Sequence, residues 1–189
     1  MLYLFMSSME KTKQLLLEFK DNRDYKSFSL RATQNSETIP ELIALCYTIK
    51  YPFPQYSSWL LSHVAENHLE QLLPFQKDLI DVFLKCSDHS AQRNLGNTLL
   101  KLPETDYKSG EMLERLFDFL LDAEAKVALK AYAMYLLIPL VKPHPELIRE
   151  LKLVLNSRIE MESRAYAGAV KKVEKALDKF SPHQSINSL

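Results

Sequence analysis

Glycine is scarce in this chain of 189 residues, with three in all: Gly96, Gly110 and Gly168. Phosphate-cradling loops and two-residue hairpin turns both depend on glycine. Their absence argues against a nucleotide loop and against a strand-rich fold. Cysteine is nearly absent too. Cys46 and Cys86 each sit inside an apolar helical pattern, which reads as two reduced core thiols of a cytoplasmic protein, a disulfide being the alternative. Charge of one sign is missing: 24 Lys plus Arg balance 24 Asp plus Glu. A general nucleic-acid binder draws much of its affinity from neutralising phosphates, so a balanced chain would need a local cationic stripe to act as one.

Long apolar runs are also lacking. The longest uncharged stretch of the central region, Ala131 to Val141, covers 11 residues, and a bilayer takes about 20. Met1 to Met6 is apolar but shorter than the hydrophobic region of a signal peptide, and no basic residue precedes it. A start at Met9 is the alternative reading of that end. The five histidines, His63, His68, His89, His144 and His183, include no i, i+4 pair of the His-Glu-x-x-His kind. His63 and His68 diverge on a helix. No Gly-x-Ser-x-Gly elbow occurs, and neither cysteine has a histidine in a family-type context. Carboxylate pairs such as Glu111 with Glu114 and Glu146 with Glu150 fall in helix first turns, where the dipole favours them without any catalytic role. No cofactor, metal or catalytic residue is assigned.

Apolar residues at helical spacing, punctuated by nine prolines, fill the space left by these absences. Leu15, Leu16 and Phe19 predict a helix from Met9 to about Asp21; Asp24 to Leu30 holds a short turn, and Arg31 to Thr38 reads as loop. Pro40 opens a helix with Leu42, Ile43, Cys46 and Ile49 on one face, ending near Lys50. Tyr51-Pro-Phe-Pro54 forces an extended turn, and a partner helix runs from about Gln55 to His68. A second pair spans Phe75 to Ser87 and His89 to Leu102, with Asp88 as the cap between them. A third runs from Ser109 through Leu113, Leu116, Phe117, Leu120 and Leu121, then from Asp122 as cap to Val141. That last helix is apolar on all sides and is expected to be buried on all sides. The fourth pair covers Pro145 to Leu155 and about Glu160 to Phe180, with Tyr166, Val170, Val173 and Leu177 inward. Ser181 to Leu189 is polar and reads as a flexible tail.

The second helices repeat a phrase. Lys130-Ala-Tyr-Ala recurs as Arg164-Ala-Tyr-Ala, with weaker echoes at Arg93-Asn-Leu-Gly and Ser58-Trp-Leu-Leu, at intervals of 34 to 37 residues. Such a period marks stacked helical pairs. Over residues 39 to 179 the chain resembles HEAT-type repeats, although the first pair carries Ser58 where the others carry a cation. The resemblance implies an all-α, short right-handed α-solenoid of about four helical pairs, with residues 1–38 forming a tail, a capping helix and a loop, all within one structural domain. An unrelated helical bundle is the alternative. It further implies a concave face lined by second helices, used mainly to bind other macromolecules.

Two candidate contact sets follow. Arg93, Lys130 and Arg164 share one repeat register and can form either a cationic row, as in DNA-alkylation-repeat proteins, or a structural ladder paired with Asp122, Glu124, Glu160 or Glu162. Tyr47, Tyr51, Phe53, Tyr56 and Trp59 cluster around Pro52 and Pro54. They suit either a partner hot spot or a seal against the Met9–Asp21 helix, with Tyr51 and Tyr56 expected on the surface. The sequence therefore points to a non-enzymatic, cytoplasmic module that binds a protein or peptide on a concave face, contacting it through Arg93, Lys130, Arg164, Tyr51, Tyr56 and Trp59. Nucleic-acid binding along the cationic row is the alternative.

Overall fold

A computed structural model describes residues 7–22 and 24–180. The Met1–Met6 segment, the Ser181–Leu189 tail and His183 lie outside the described residues. Among the described residues there are ten α-helices and no strand: α1 (Ser8–Asn22), α2 (Tyr25–Thr33), α3 (Thr38–Cys46), α4 (Phe53–Asn67), α5 (Gln76–Lys85), α6 (His89–Leu99), α7 (Ser109–Leu121), α8 (Val127–Val141), α9 (Pro145–Ser157) and α10 (Arg164–Leu177). The chain falls into two compact units that meet in sequence at Met112 and Leu113, within α7.

The first unit stacks three helical pairs. First helices pack on first helices, α1 on α3 and α3 on α5, while second helices pack on second helices, α2 on α4 and α4 on α6. The segment before residue 38 is therefore a helical pair like those after it. Its second member, α2, is longer than the short turn its sequence suggests. The Asp24 carboxylate starts it by accepting the Ser27 amide at 3.2 Å, and Phe28 and Ala32 bury its inner side. Leu16, Phe19, Leu42, Leu60, Leu61, Val64, Leu79, Val82, Phe83 and Leu95 show no exposure and form the core. Burial of each such side chain contributes roughly 1.5–3 kcal/mol.

Polar groups set the register between pairs. Asp88 caps α6 by accepting the Ala91 amide at 2.8 Å, while its other oxygen accepts from the Gln55 side chain at 2.5 Å. The Asn94 amide donates to the Ser58 hydroxyl at 3.1 Å and to the Gln55 carbonyl at 3.3 Å. Asn94 is 8% exposed and Ser58 fully buried, so these bonds are made away from water, where leaving a donor unpaired is costly. Cys46 and Cys86 are both buried thiols. Burial, and secondarily the charge of Cys86, pushes the Cys46 thiol up in pKa, which leaves it a small apolar core group.

α3 is shorter than its apolar pattern. The Tyr47 amide bonds to the Ala44 carbonyl and the Thr48 amide to the Leu45 carbonyl, a tightening that ends the helix at Cys46. Ile49, expected on the inner face, lies instead in the connection to α4 and is 91% exposed. The Tyr51–Pro52 peptide in that connection is cis.

In the second unit α8, α9 and α10 pack against one another. Tyr166, Val170, Val173 and Leu177 are all fully buried along α10. α7 buries Leu116 and Leu120 as expected, with Met112 and Phe119 buried in place of Leu113 and Phe117, and leaves Leu121 53% exposed. Asp122 does not cap α8. Its carboxylate accepts the Glu124 amide at 2.8 Å in the preceding loop, and α8 begins at Val127. Nor is α8 buried on all sides. Leu129, Lys130, Ala133, Met134, Leu137 and Val141 are buried, whereas Tyr132, Tyr135 and Leu136 are half-buried. α10 starts at Arg164 because the Ser163 hydroxyl accepts the Tyr166 amide at 3.3 Å.

Candidate functional site

The aromatic segment after α3 divides between two environments. Tyr56 and Trp59, on α4, face the N-terminal pair and are half-buried. Their rings lie 6.3 and 5.3 Å from that of Phe19 on α1, and Trp59 also meets Tyr25 of α2 at 5.4 Å. His63, one turn further along α4, stacks on Tyr25 at 4.4 Å with 16° between the planes. Burial lowers the His63 pKa, opposed by its contact with Glu66, so the ring favours its neutral form within the cluster. Offset and edge contacts of this kind add about 0.5–1.5 kcal/mol per pair beyond burial. These two side chains thus hold α1 and α2 onto α4. Tyr51 stands apart, 61% exposed, with its ring 6.4 Å from Tyr56.

The cations of the shared register are used differently from one another. Lys130 is 1% exposed and forms an ion pair with Glu162, in the loop before α10. Arg93, half-buried in the first unit, donates to the Asn94 side chain at 3.2 Å. Arg164, in the second unit, is exposed and makes no ion pair among the described residues. One rung of a structural ladder is present at Lys130. In the α4–α6 interface the equivalent link is made by Asn94 and Ser58, one position along from Arg93.

A surface groove opens elsewhere in the first unit, between the first helices α3 and α5. Pro40, Ile43, Ala44 and Tyr47 line one side and Phe75 and Asp78 the other, enclosing about 350 Å³. Its walls are mainly carbon, and its mouth adjoins the connection bearing Tyr47, Ile49 and Tyr51, which are 44%, 91% and 61% exposed.

Asp78 is the charged residue of the lining, and Asp81 and Lys108 lie close enough to act on Tyr47. Asp81 accepts from the Tyr107 hydroxyl at 3.1 Å and pairs with Lys108 at 3.0 Å. Partial burial opposes ionisation of Asp81, but the bonds from Lys108 and Tyr107 outweigh it and hold its carboxyl below the usual range. Lys108 sits at φ 51°, a left-handed conformation that non-glycine residues seldom adopt. Asp78 is exposed and makes no ion pair among the described residues. Burial raises the Tyr47 phenol in pKa, with Asp81 and Asp78 adding to the shift and Lys108 opposing it; the phenol stays neutral and available as a donor.

Among the described residues no group of three His, Cys, Asp or Glu side chains is placed to hold a metal ion, and no helix is long and apolar enough to cross a membrane. The groove offers apolar contact, a phenol and one carboxylate, which suits holding side chains of a partner.

The HEAT repeat domain matches residues 12–179 of the chain. The chain belongs to the HEAT repeat domain family. The match begins inside α1 rather than at residue 39, in keeping with the pairing of α1 and α2 on α3 and α4. No curated protein and no solved structure matches the chain. Apolar spacing does not reveal the groove of this HEAT repeat domain: Ile43 is buried, as its place on the inner face predicts, and also lines the groove, while Ala44 lies off that face and is exposed. One signal was there to find: the nine residues of α3 carry a single charge, Glu41, and so present apolar groups to both the interior and the solvent.

Proposed function

We propose that this HEAT repeat domain is a non-enzymatic interaction module that docks a segment of a protein or peptide between α3 and α5. The observation that carries the reading is the apolar groove of about 350 Å³ beside exposed Tyr47, Ile49 and Tyr51. Apolar anchors seated in a pocket dominate the energetics of such contacts. The proposed surface belongs to first helices and their connections, whereas the repeat pattern alone suggested the second helices. Tyr51 keeps its candidate role as a contact residue, while Tyr56 and Trp59 serve the seal. The nucleic-acid reading has less support: the net charge is zero, and Lys130, the centre of the cationic row, is buried in an ion pair.

Selection from a random displayed-peptide library tests the reading. Ala44 is exposed and lines the groove, so Ala44→Arg fills it without disturbing the core. The wild-type protein is expected to enrich related sequences that fail to bind the Ala44→Arg protein. An absence of enrichment, or equal binding by the variant, overturns the proposal.

A further inference from the structure

The charges around the groove narrow the class of partner, on the basis of the docking reading above. We infer that the occupant is a peptide segment with one apolar or aromatic anchor and a nearby lysine or arginine that pairs with Asp78. The groove's 350 Å³ lies near the lower end of ligand pockets, about 300–1,000 Å³. It accepts one or two side chains rather than a whole helix. Pro40, Ile43, Ala44 and Phe75 supply the walls for the anchor.

Three formal charges act on Tyr47 at the groove edge: Asp78, Asp81 and Lys108. Lys108 is committed to Asp81, at 3.0 Å, with a longer approach to Glu111 at 3.7 Å. Lys77, the neighbour of Asp78 in sequence, places its ammonium 5.4 Å from the centre of the Tyr107 ring. Asp78 lines the groove and, among the described residues, forms no ion pair. A partner carboxylate there would face a second carboxylate with nothing between them. A partner ammonium or guanidinium would supply the missing charge and retain a hydrogen bond as water leaves.

Peptides enriched on the wild-type protein are resynthesised with each basic residue as Gln or Glu, and binding is read by fluorescence anisotropy. On the wild type, the Gln form is expected to bind about two- to fivefold more weakly, the range of an exposed ion pair, and the Glu form more weakly still. The differences should vanish on Asp78→Asn and invert on Asp78→Lys. Enriched peptides without a basic residue, or a preference for cations that persists on Asp78→Lys, would overturn the inference while leaving the docking site standing. If no peptide is enriched, or if Ala44→Arg still binds, the docking reading falls and takes this inference with it. A dimer in sedimentation that Ala44→Arg dissolves would make the occupant a second copy of the chain and would also overturn it.

Discussion

Glu162→Ala should destabilise the second unit more than Lys130→Met does, although both break the same ion pair. Lys130 is 1% exposed on α8, and its partner Glu162 is 14% exposed in the loop leading to α10. Removing the carboxylate strands an ammonium in the interior, a change that costs about 3–5 kcal/mol. Removing the ammonium leaves a carboxylate that can turn toward water, and methionine fills much of the lysine's volume, so the loss is about 1–3 kcal/mol. The double variant removes both charges and should recover most of the Glu162→Ala loss, because replacing a buried pair by apolar groups is often close to neutral. Thermal denaturation followed by far-UV circular dichroism should show Glu162→Ala lowering Tm by about 6–20 °C, using 2–4 °C per kcal/mol for a chain of this size. The reasoning is refuted if Glu162→Ala lies within about 1 kcal/mol of the wild type, or if the double variant loses the sum of the two single losses.

Three further outcomes follow from individual side chains. Phe19 is fully buried and touches Tyr56, Trp59 and His63; Phe19→Ala should cost about 3–5 kcal/mol, with the fluorescence of Trp59, the single tryptophan, reporting the loosened seal directly. His63 has a lowered pKa in the fold because its ring is partly buried, which outweighs the opposing contact with Glu66. The unfolded chain then takes up the proton first, so stability is intact above about pH 6.5 and declines as pH falls below it; denaturant titrations should show this slope in the wild type and not in His63→Phe. The Tyr166 hydroxyl is buried with no hydrogen-bond partner among the described residues. Tyr166→Phe should therefore be neutral or stabilising by up to about 1 kcal/mol, and a loss beyond that in the same titration would show that the hydroxyl has a partner.

The repeat of helical pairs was legible because it rests on apolar spacing, and spacing survives without any knowledge of contacts. The inward set of α10 came out correctly for that reason, as did the Asp88 cap, where a short carboxylate precedes a helical pattern. The errors arose where a local competitor settled the outcome. Ile49 continues the α3 stripe, yet the tightened turn at Tyr47 and Thr48 ends the helix before it. Asp122 resembles a cap but spends its carboxylate on Glu124. The short α2 carries too few apolar positions to declare itself, and is held by Asp24 and by packing on α4. The groove was hidden for a different reason. It is a property of two helices side by side, and neither α3 nor α5 reveals alone which of its apolar side chains the other will leave uncovered.

Hydrogen–deuterium exchange on the protein with and without a selected peptide tests docking between α3 and α5 most directly. Slowed exchange is predicted in α3, in the connection at residues 47–52 and in the first turns of α5, with α8 and α10 unchanged. Protection confined to the second helices, or none at a saturating peptide concentration, would contradict it.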